Sequence, residues 1–470
     1  MRRTCSVLAL AALLGGCAME PRYVRPVPPV PPSWPVGDAY LRRSEAALPT
    51  LRYRDIFRDA RLQALIGQAL VNNRDLRIAA ANITAARAQV RIQQASQLPE
   101  VVAGAGATIT DSSGQTSGGF SGTRRSLSAD IGITSFELDL FGRLAALTRA
   151  EQQRYLATEA AARAIRLTLV GDIADAWLNY AADASLLGIA HDTANNAARS
   201  VELTRARLNG GIAPRTDLRQ AEQVLETARS DVAEQTTALA QDVNALQLLV
   251  GAPVDPALLP RSIQQAAPTF AELPAGLDSG ILLRRPDVVQ AEYELRAANA
   301  EIGAARAALF PRISLTGLLG LASTSLAGLF SGGAFNGSAS AGADYPIFSA
   351  GAGRAGVRLS EAQRNAALAA YERAIQIAFR EVADALARRG TIEEQLRAAR
   401  ALTDAAADSY ALVEARYRGG IDPFLTSLDA QRSLYAARRT LVATQRVQAS
   451  NLVNLYRALG GDAATDITPK

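Results

Sequence analysis

Arg207-Leu208-Asn209-Gly210-Gly211-Ile212-Ala213-Pro214 reappears 209 residues later as Arg416-Tyr417-Arg418-Gly419-Gly420-Ile421-Asp422-Pro423. Each copy follows one long Ala-, Leu-, Arg- and Glu-rich run and precedes another, so the paired glycines and the proline read as the turn of a helical hairpin. Ile173-Ala174-Asp175-Ala176 meets Val382-Ala383-Asp384-Ala385 at the same offset, and Leu98-Pro99 meets Phe310-Pro311, and Phe141 meets Phe348, at nearly that offset. The chain is an internal duplication.

Prolines punctuate the helices. None occurs between Pro99 and Pro214, and the run from Gly142 to Asn209 predicts a helix of roughly 100 Å at 1.5 Å per residue, with Gly171 and Gly188 as weak interruptions. A second long helix is predicted from Gly356 to Arg418, and shorter ones over Asp59–Gln97, Asp217–Leu249, Asp287–Leu309 and Phe424–Leu459. Two regions switch to a period of two and become rich in Gly, Ser and Thr. The first runs out over Val101–Thr110 and back over Leu127–Leu140, with a register slip at Ser135-Phe136; the second runs from Ile313 to about Leu321 and from about Ser338 to Phe348. Each arm has about the ten residues that a tilted transmembrane strand needs. Phe120, Phe330 and Phe335 near the turns and Phe310, Tyr345 and Phe348 near the helices fit interfacial girdles. Four strands cannot close a barrel, and lipid forbids an open sheet edge, so strands that enter a membrane must share one barrel with other chains.

Composition narrows the chemistry. The 470 residues are 49% apolar and 5% aromatic, and the mean hydropathy of +0.03 excludes a polytopic helical transporter. One His and two Cys exclude a His- or Cys-rich metal site and a disulfide framework. The 50 basic and 45 acidic side chains interleave throughout, which argues for solvated helix faces and against a nucleic-acid patch. No cofactor, metal site or acid–base pair is expected: His191 reads as a surface residue and Glu393-Glu394 as solvated helix charge.

At the N-terminus, Arg2-Arg3, the apolar run Val7–Leu14 and Leu14-Gly15-Gly16-Cys17 read as an export signal. The last four residues resemble a bacterial lipobox, which implies lipidation of Cys17 as the first mature residue. Ala18, not aspartate, follows and favours sorting to the outer membrane. Seven prolines from Pro21 to Pro35 then predict an extended tether.

Gly280-Ile281-Leu282-Leu283-Arg284-Arg285-Pro286-Asp287-Val288, Ala291-Glu292, Ile302-Gly303-Ala304-Ala305-Arg306 and Phe310-Pro311-Arg312-Ile313-Ser314-Leu315-Thr316-Gly317 closely resemble the central signature of the outer-membrane factor family (TolC-like, lipoprotein NodT/OprM branch). So do Phe57-Arg58-Asp59-Ala60-Arg61-Leu62 and Ala69-Leu70-Val71-Asn72-Asn73-Arg74-Asp75-Leu76. The resemblance covers essentially the mature chain. It implies a mostly α fold with transmembrane β: a homotrimer whose helical hairpins form a periplasmic α-barrel, joined to a 12-stranded outer-membrane β-barrel with four strands per chain. It also implies partners, namely a periplasmic adaptor (membrane fusion) protein, an inner-membrane efflux pump of the resistance-nodulation-division type, and outer-membrane lipid.

The expected organisation is a signal peptide (1–16), a lipidated N-terminus and tether (17–55), a first repeat (56–265), a linker (266–285), a second repeat (286–460) and a tail (461–470). The expected function is a passive exit duct of a tripartite efflux system in a Gram-negative outer membrane, gated at its periplasmic tips. Leu425, Asp429 and Arg432 share one helical stripe, and the resemblance turns that stripe towards the pore constriction, with Asp429 forming an acidic ring in the trimer. Thr426 stands where some relatives carry a second acid. Tyr417, Asp422, Thr216 and Asp217 match positions of inter-hairpin gate contacts, although Asp422 replaces an arginine found in some relatives, and the turns at Gly210, Gly211, Gly419 and Gly420 match adaptor-docking tips. An alternative is a periplasmic lipoprotein scaffold that binds partners through its hairpins without a pore. Gly351-Ala352-Gly353-Arg354-Ala355-Gly356 fits a dinucleotide fingerprint, but no regular βαβ series follows, and a flexible strand-to-helix bend accounts for it better.

Overall fold

A computed structural model describes residues 19–35, 37, 39–40, 52–112, 122–270 and 279–461. Cys17 and the signal lie outside the described residues, as do Phe120 and parts of the tether, linker and tail. In chain order the main elements are α1 (Ala60–Asn72), α2 (Arg74–Ala95), β1 (Val101–Ser112), β2 (Gly122–Leu138), α3 (Arg143–Asn209), α4 (Arg215–Val250), α5 (Pro286–Ala307), β3 (Arg312–Ser323), β4 (Phe335–Asp344), α6 (Ala352–Arg418) and α7 (Phe424–Ala458). Both long helices, α3 and α6, have 67 residues, and both are followed by a tip and a helix of 36 or 35 residues.

The chain forms two compact units: Met1–Val27, Asn82–Glu159 and Gln290–Tyr371 make the first; Pro28–Ala81, Ala160–Val289 and Glu372–Lys470 make the second. The first contains a four-stranded sheet in the order β1-β2-β3-β4, antiparallel throughout. The expected slip is a register shift between Ile133 and Phe136, where β2 leaves Gly317 and resumes opposite Leu315. β4 ends at Asp344, earlier than the period alone suggests, because Pro346 has no N–H to continue the ladder. Among the described residues, β1 and β4 each pair on one side only, so the chain presents both edges of its sheet. Alanines bring the helices of this unit together, with Ala150 of α3 packed on Ala297 and Ala300 of α5.

The second unit is built on aromatic packing. Phe57 meets Phe270 and Tyr456 edge-on at ring separations of 5.2 Å, and Trp177 donates its indole N–H to the Leu258 carbonyl at 3.1 Å. Contrary to the single helix expected over Asp59–Gln97, the chain breaks between α1 and α2 at Asn73. Its buried side chain donates to the Leu249 carbonyl at 2.8 Å and accepts from the Leu76 amide at 3.0 Å, so Asn73 caps α2 while fastening the end of α4.

Candidate gate at the helix tips

At both tips the helix ends in the same backbone motif. The Ile212 amide reaches back to the Arg207 carbonyl at 2.8 Å and the Ile421 amide to the Arg416 carbonyl at 2.9 Å, with Gly211 and Gly420 at φ of 71° and 74°. Only glycine adopts that left-handed conformation without strain, which is why a Gly-Gly pair recurs. Ile212 and Ile421 remain exposed just beyond it.

Side chains then join the two hairpins. Tyr417 is buried beside Phe424, at 5.4 Å between ring centroids, in a cluster with Ala197, Val201, Leu218 and Leu428. Its hydroxyl lies 3.4 Å from Thr204 Oγ1, and the Arg207 guanidinium sits 4.4 Å above its ring. Arg207 also donates to the carbonyls of Tyr417 and Arg418, at 3.2 and 3.1 Å, where a cation complements the exposed carbonyls at the end of α6. Asp422 turns the other way. It accepts from Arg416 at 2.7 and 2.9 Å within its own tip, and that guanidinium holds its carboxyl below the usual range. Thr216 and Asp217 open α4, with the Asp217 amide bonded to the Pro214 carbonyl at 3.2 Å. The contacts of Tyr417 and Asp422 thus run to Thr204, Arg207 and Arg416, not to Thr216 and Asp217.

Leu425, Asp429 and Arg432 lie along one exposed stripe of α7, and Arg432 stands 4.0 Å from Asp429. Further up the same helix the Tyr435 hydroxyl donates to Asp231 of α4. Burial, with the neighbouring carboxylate, pushes the phenol up to about 12. One more feature belongs to the first hairpin: the carboxyls of Asp183 on α3 and Asp242 on α4 are close enough to perturb each other. Burial first, and then the Asp183 charge, raise Asp242 to about 7, against partial relief from Arg446. Sequence reasoning missed Thr204, Arg207, Asp231, Tyr435 and this acidic pair. Only the Arg207–Arg416 correspondence carries a sequence signal.

Long helical hairpins, and an antiparallel sheet whose two outer strands pair on one side only among the described residues, are the elements of a membrane channel protomer. The family described as "Outer membrane efflux protein" matches residues 65–252 and again 278–461, and the chain belongs to that family. The chain is 44% identical over 464 residues to the probable efflux pump outer membrane protein TtgC of Pseudomonas putida, covering 97% of this chain and 96% of that one. Among solved structures it resembles a CusC chain (TM-score 0.83, 38% identity, 95% of this chain and 100% of that one) and the open-state MtrE outer membrane channel of Neisseria gonorrhoeae (TM-score 0.82, 34% identity, 96% and 100%). The protein is an outer-membrane efflux channel, and the scaffold alternative falls away.

Proposed function

We propose that three copies of this chain share one twelve-stranded barrel and act as the gated exit duct of a tripartite pump. The observation that carries this reading is the sheet: β1 and β4 have no strand neighbour on their outer sides among the described residues, and an unpaired edge costs several kcal/mol per group in hydrocarbon. Neighbouring chains supply the missing partners, β4 of one pairing with β1 of the next. A periplasmic adaptor grips the tip turns at Gly210, Gly211, Gly419 and Gly420, and an inner-membrane pump of the resistance-nodulation-division type selects the cargo. The duct itself supplies no chemistry.

In this reading acylated Cys17 anchors the chain in outer-membrane lipid. Leu425, Asp429 and Arg432 narrow the periplasmic end, with three Asp429 carboxylates drawing cations and Arg432 moderating their charge. Tyr417, held by Arg207 and Thr204, keeps the hairpins together in the closed state, and its release opens the duct. Asp422, Thr216 and Asp217 are lesser contributors at the same level. The test is the native mass and conductance of the mature protein extracted in mild detergent. A trimer that conducts in planar bilayers, with cation preference reduced by Asp429→Asn, supports the reading; a monomer without conductance overturns it.

A further inference from the structure

The tether is extended, as its prolines require, yet within the first unit it lies against α5 through a set of matched contacts. Glu292, Arg296, Asn299 and Gly303 follow one another at steps of four, three and four residues, so they form a single stripe along α5. Every member of the stripe meets the N-terminal segment. Glu292, whose side chain is 5% exposed, accepts a fork from Arg25 at 2.9 and 2.6 Å and a bond from the Tyr23 hydroxyl at 3.3 Å. Arg296 donates to the same carboxylate at 2.7 Å and covers the Tyr23 ring at 4.9 Å. Buried Asn299 donates to the Pro21 carbonyl at 2.7 Å. At Gly303 the backbone of Glu20 passes so close that a Cβ would lie 3.0 Å from its N and Cα, and Arg149 of α3 holds the Glu20 carboxylate at 2.8 Å.

A solvated leash needs none of this. A buried carboxylate answered by two arginines and a tyrosine, a buried amide spent on one tether carbonyl, and a helical glycine that makes room for the tether backbone are features of a binding site. We propose that the Glu292–Arg296–Asn299–Gly303 face of α5 is a dedicated seat for the chain's own strap, Glu20–Arg25, which holds the acyl group of Cys17 at a short fixed distance from the junction of strands and helices. The position of the seat follows from the chain: Gly303 lies in the last turns of α5, just before β3, and Arg149 in the second turn of α3, just after β2. Cys17 lies three positions before Glu20, so the lipidated residue stays within about 10 Å of the seat. Docking raises the effective concentration of the acyl chains at one level of the membrane surface, and anchoring in turn favours docking. The distance part of the inference rests on the proposed lipidation of Cys17; the seat does not.

Trypsin reads both parts. Arg22-Tyr23 is a cleavable bond inside the strap, whereas Arg25-Pro26 resists cleavage because proline follows it. The mature protein in mild detergent is digested briefly and the N-terminal fragment followed by mass, with thermal melting and native mass as controls for folding. A seated strap is cut slowly, and Glu292→Gln, Gly303→Leu and Arg25→Ala each accelerate that cut about tenfold or more, as loss of a charge-assisted buried hydrogen bond or of the backbone seat implies. Arg25→Lys, which keeps the charge and loses the fork, falls between. Arg25→Ala lies on the strap itself and leaves the body intact, so its effect stands even where an α5 variant misfolds. Wild-type cleavage as fast as in the variants overturns the seat. A slowly released fragment that carries no acyl mass overturns the fixed lipid distance and leaves the seat standing.

Discussion

At the first tip Arg207 leaves its own hairpin and bonds the last carbonyls of α6; at the second, Arg416, its counterpart 209 residues on, folds back onto Asp422. The two turns share the backbone bonds made by both glycines and the isoleucine, so the cause lies in a side chain: Ala213 stands where the second tip has Asp422. Without a carboxylate at home, Arg207 finds its partners across the gap, and Tyr417, which replaces Leu208, supplies the ring that receives it. The same offset sets Thr216, Gln220 and Gln223 against Leu425, Asp429 and Arg432, and Asp183 and Asp242 against Ile392 and Asn451. The two copies share the hairpin and differ in their charges, with the exposed Asp429–Arg432 pair in the second and a protonatable pair in the first.

Breaking the cross-hairpin contact at its aromatic end has the largest effect. Tyr417→Ala removes a buried ring together with its contacts to Thr204 and to the Arg207 guanidinium, at a cost of about 3 kcal/mol or more, whereas Leu208→Ala at the matching, half-buried position costs about 1. Hydrogen exchange at the two tips measures the difference, and channel conductance rises in the first variant only. Equal effects would mean that the tips are equivalent. The turns themselves share their strain: Gly211→Ala and Gly420→Ala each force a Cβ into a left-handed backbone and cost about 1 to 2 kcal/mol, the same at both tips. Unequal melting shifts would show that one tip is braced where the other is free.

The duplication, the hairpins and the strand pairs were legible because they rest on periods of 3.6 and 2 and on Gly-Gly and Pro punctuation, which act locally. Even the slip in β2 showed as a change of alternation. The break at Asn73 was hidden because Asn within a helical pattern is ordinary; its meaning comes from the Leu249 carbonyl, far away in the chain. Arg25 and Glu292 are likewise unremarkable apart, and only folding brings them together. At the tips, residue types at motif positions pointed to the turns, but the partners of Tyr417 and Asp422 follow from which neighbouring position lacks a charge, a fact visible only when the two repeats are laid side by side.

The acidic pair sharpens the contrast through pH. Asp242 is raised to about 7 in the folded chain, above its unfolded value near 4, so the native state binds more protons between those values and loses stability as pH rises through 7. The groups facing the pair are Tyr180 on α3, which burial and Asp242 push up, and Arg446 on α7, which draws Asp242 down. Because the pair is only partly buried, solvent screening reduces the effect to about 1 kcal/mol. Asp242→Asn should flatten the melting temperature between pH 5.5 and 8, while Asn451→Asp, which builds an acid into the second hairpin beside the Ala385 carbonyl, should introduce a new dependence there. A wild-type melting curve independent of pH would remove the pair as a difference between the hairpins.

The smallest expected change is the most direct check on why the tips differ. Ala213→Asp gives the first tip the carboxylate that the second already has, in a backbone that already accepts it at Asp422. Arg207 then has a choice between a solvent-exposed ion pair at home and the carbonyls and ring of the other hairpin. Exposed pairs contribute only about 0 to 1 kcal/mol, and the cation–π contact about as much, so the arginine divides between the two sites and the hairpins loosen by less than in Tyr417→Ala. Hydrogen exchange at Thr204 and Tyr417 should rise slightly, and rise less at high salt, where the new local pair is screened and the cross-hairpin contact regains its arginine. Exchange that stays at the wild-type value at every salt concentration would mean that Arg207 is held across the gap by packing alone, and that the loss of a carboxylate at position 213 is not what sent it there.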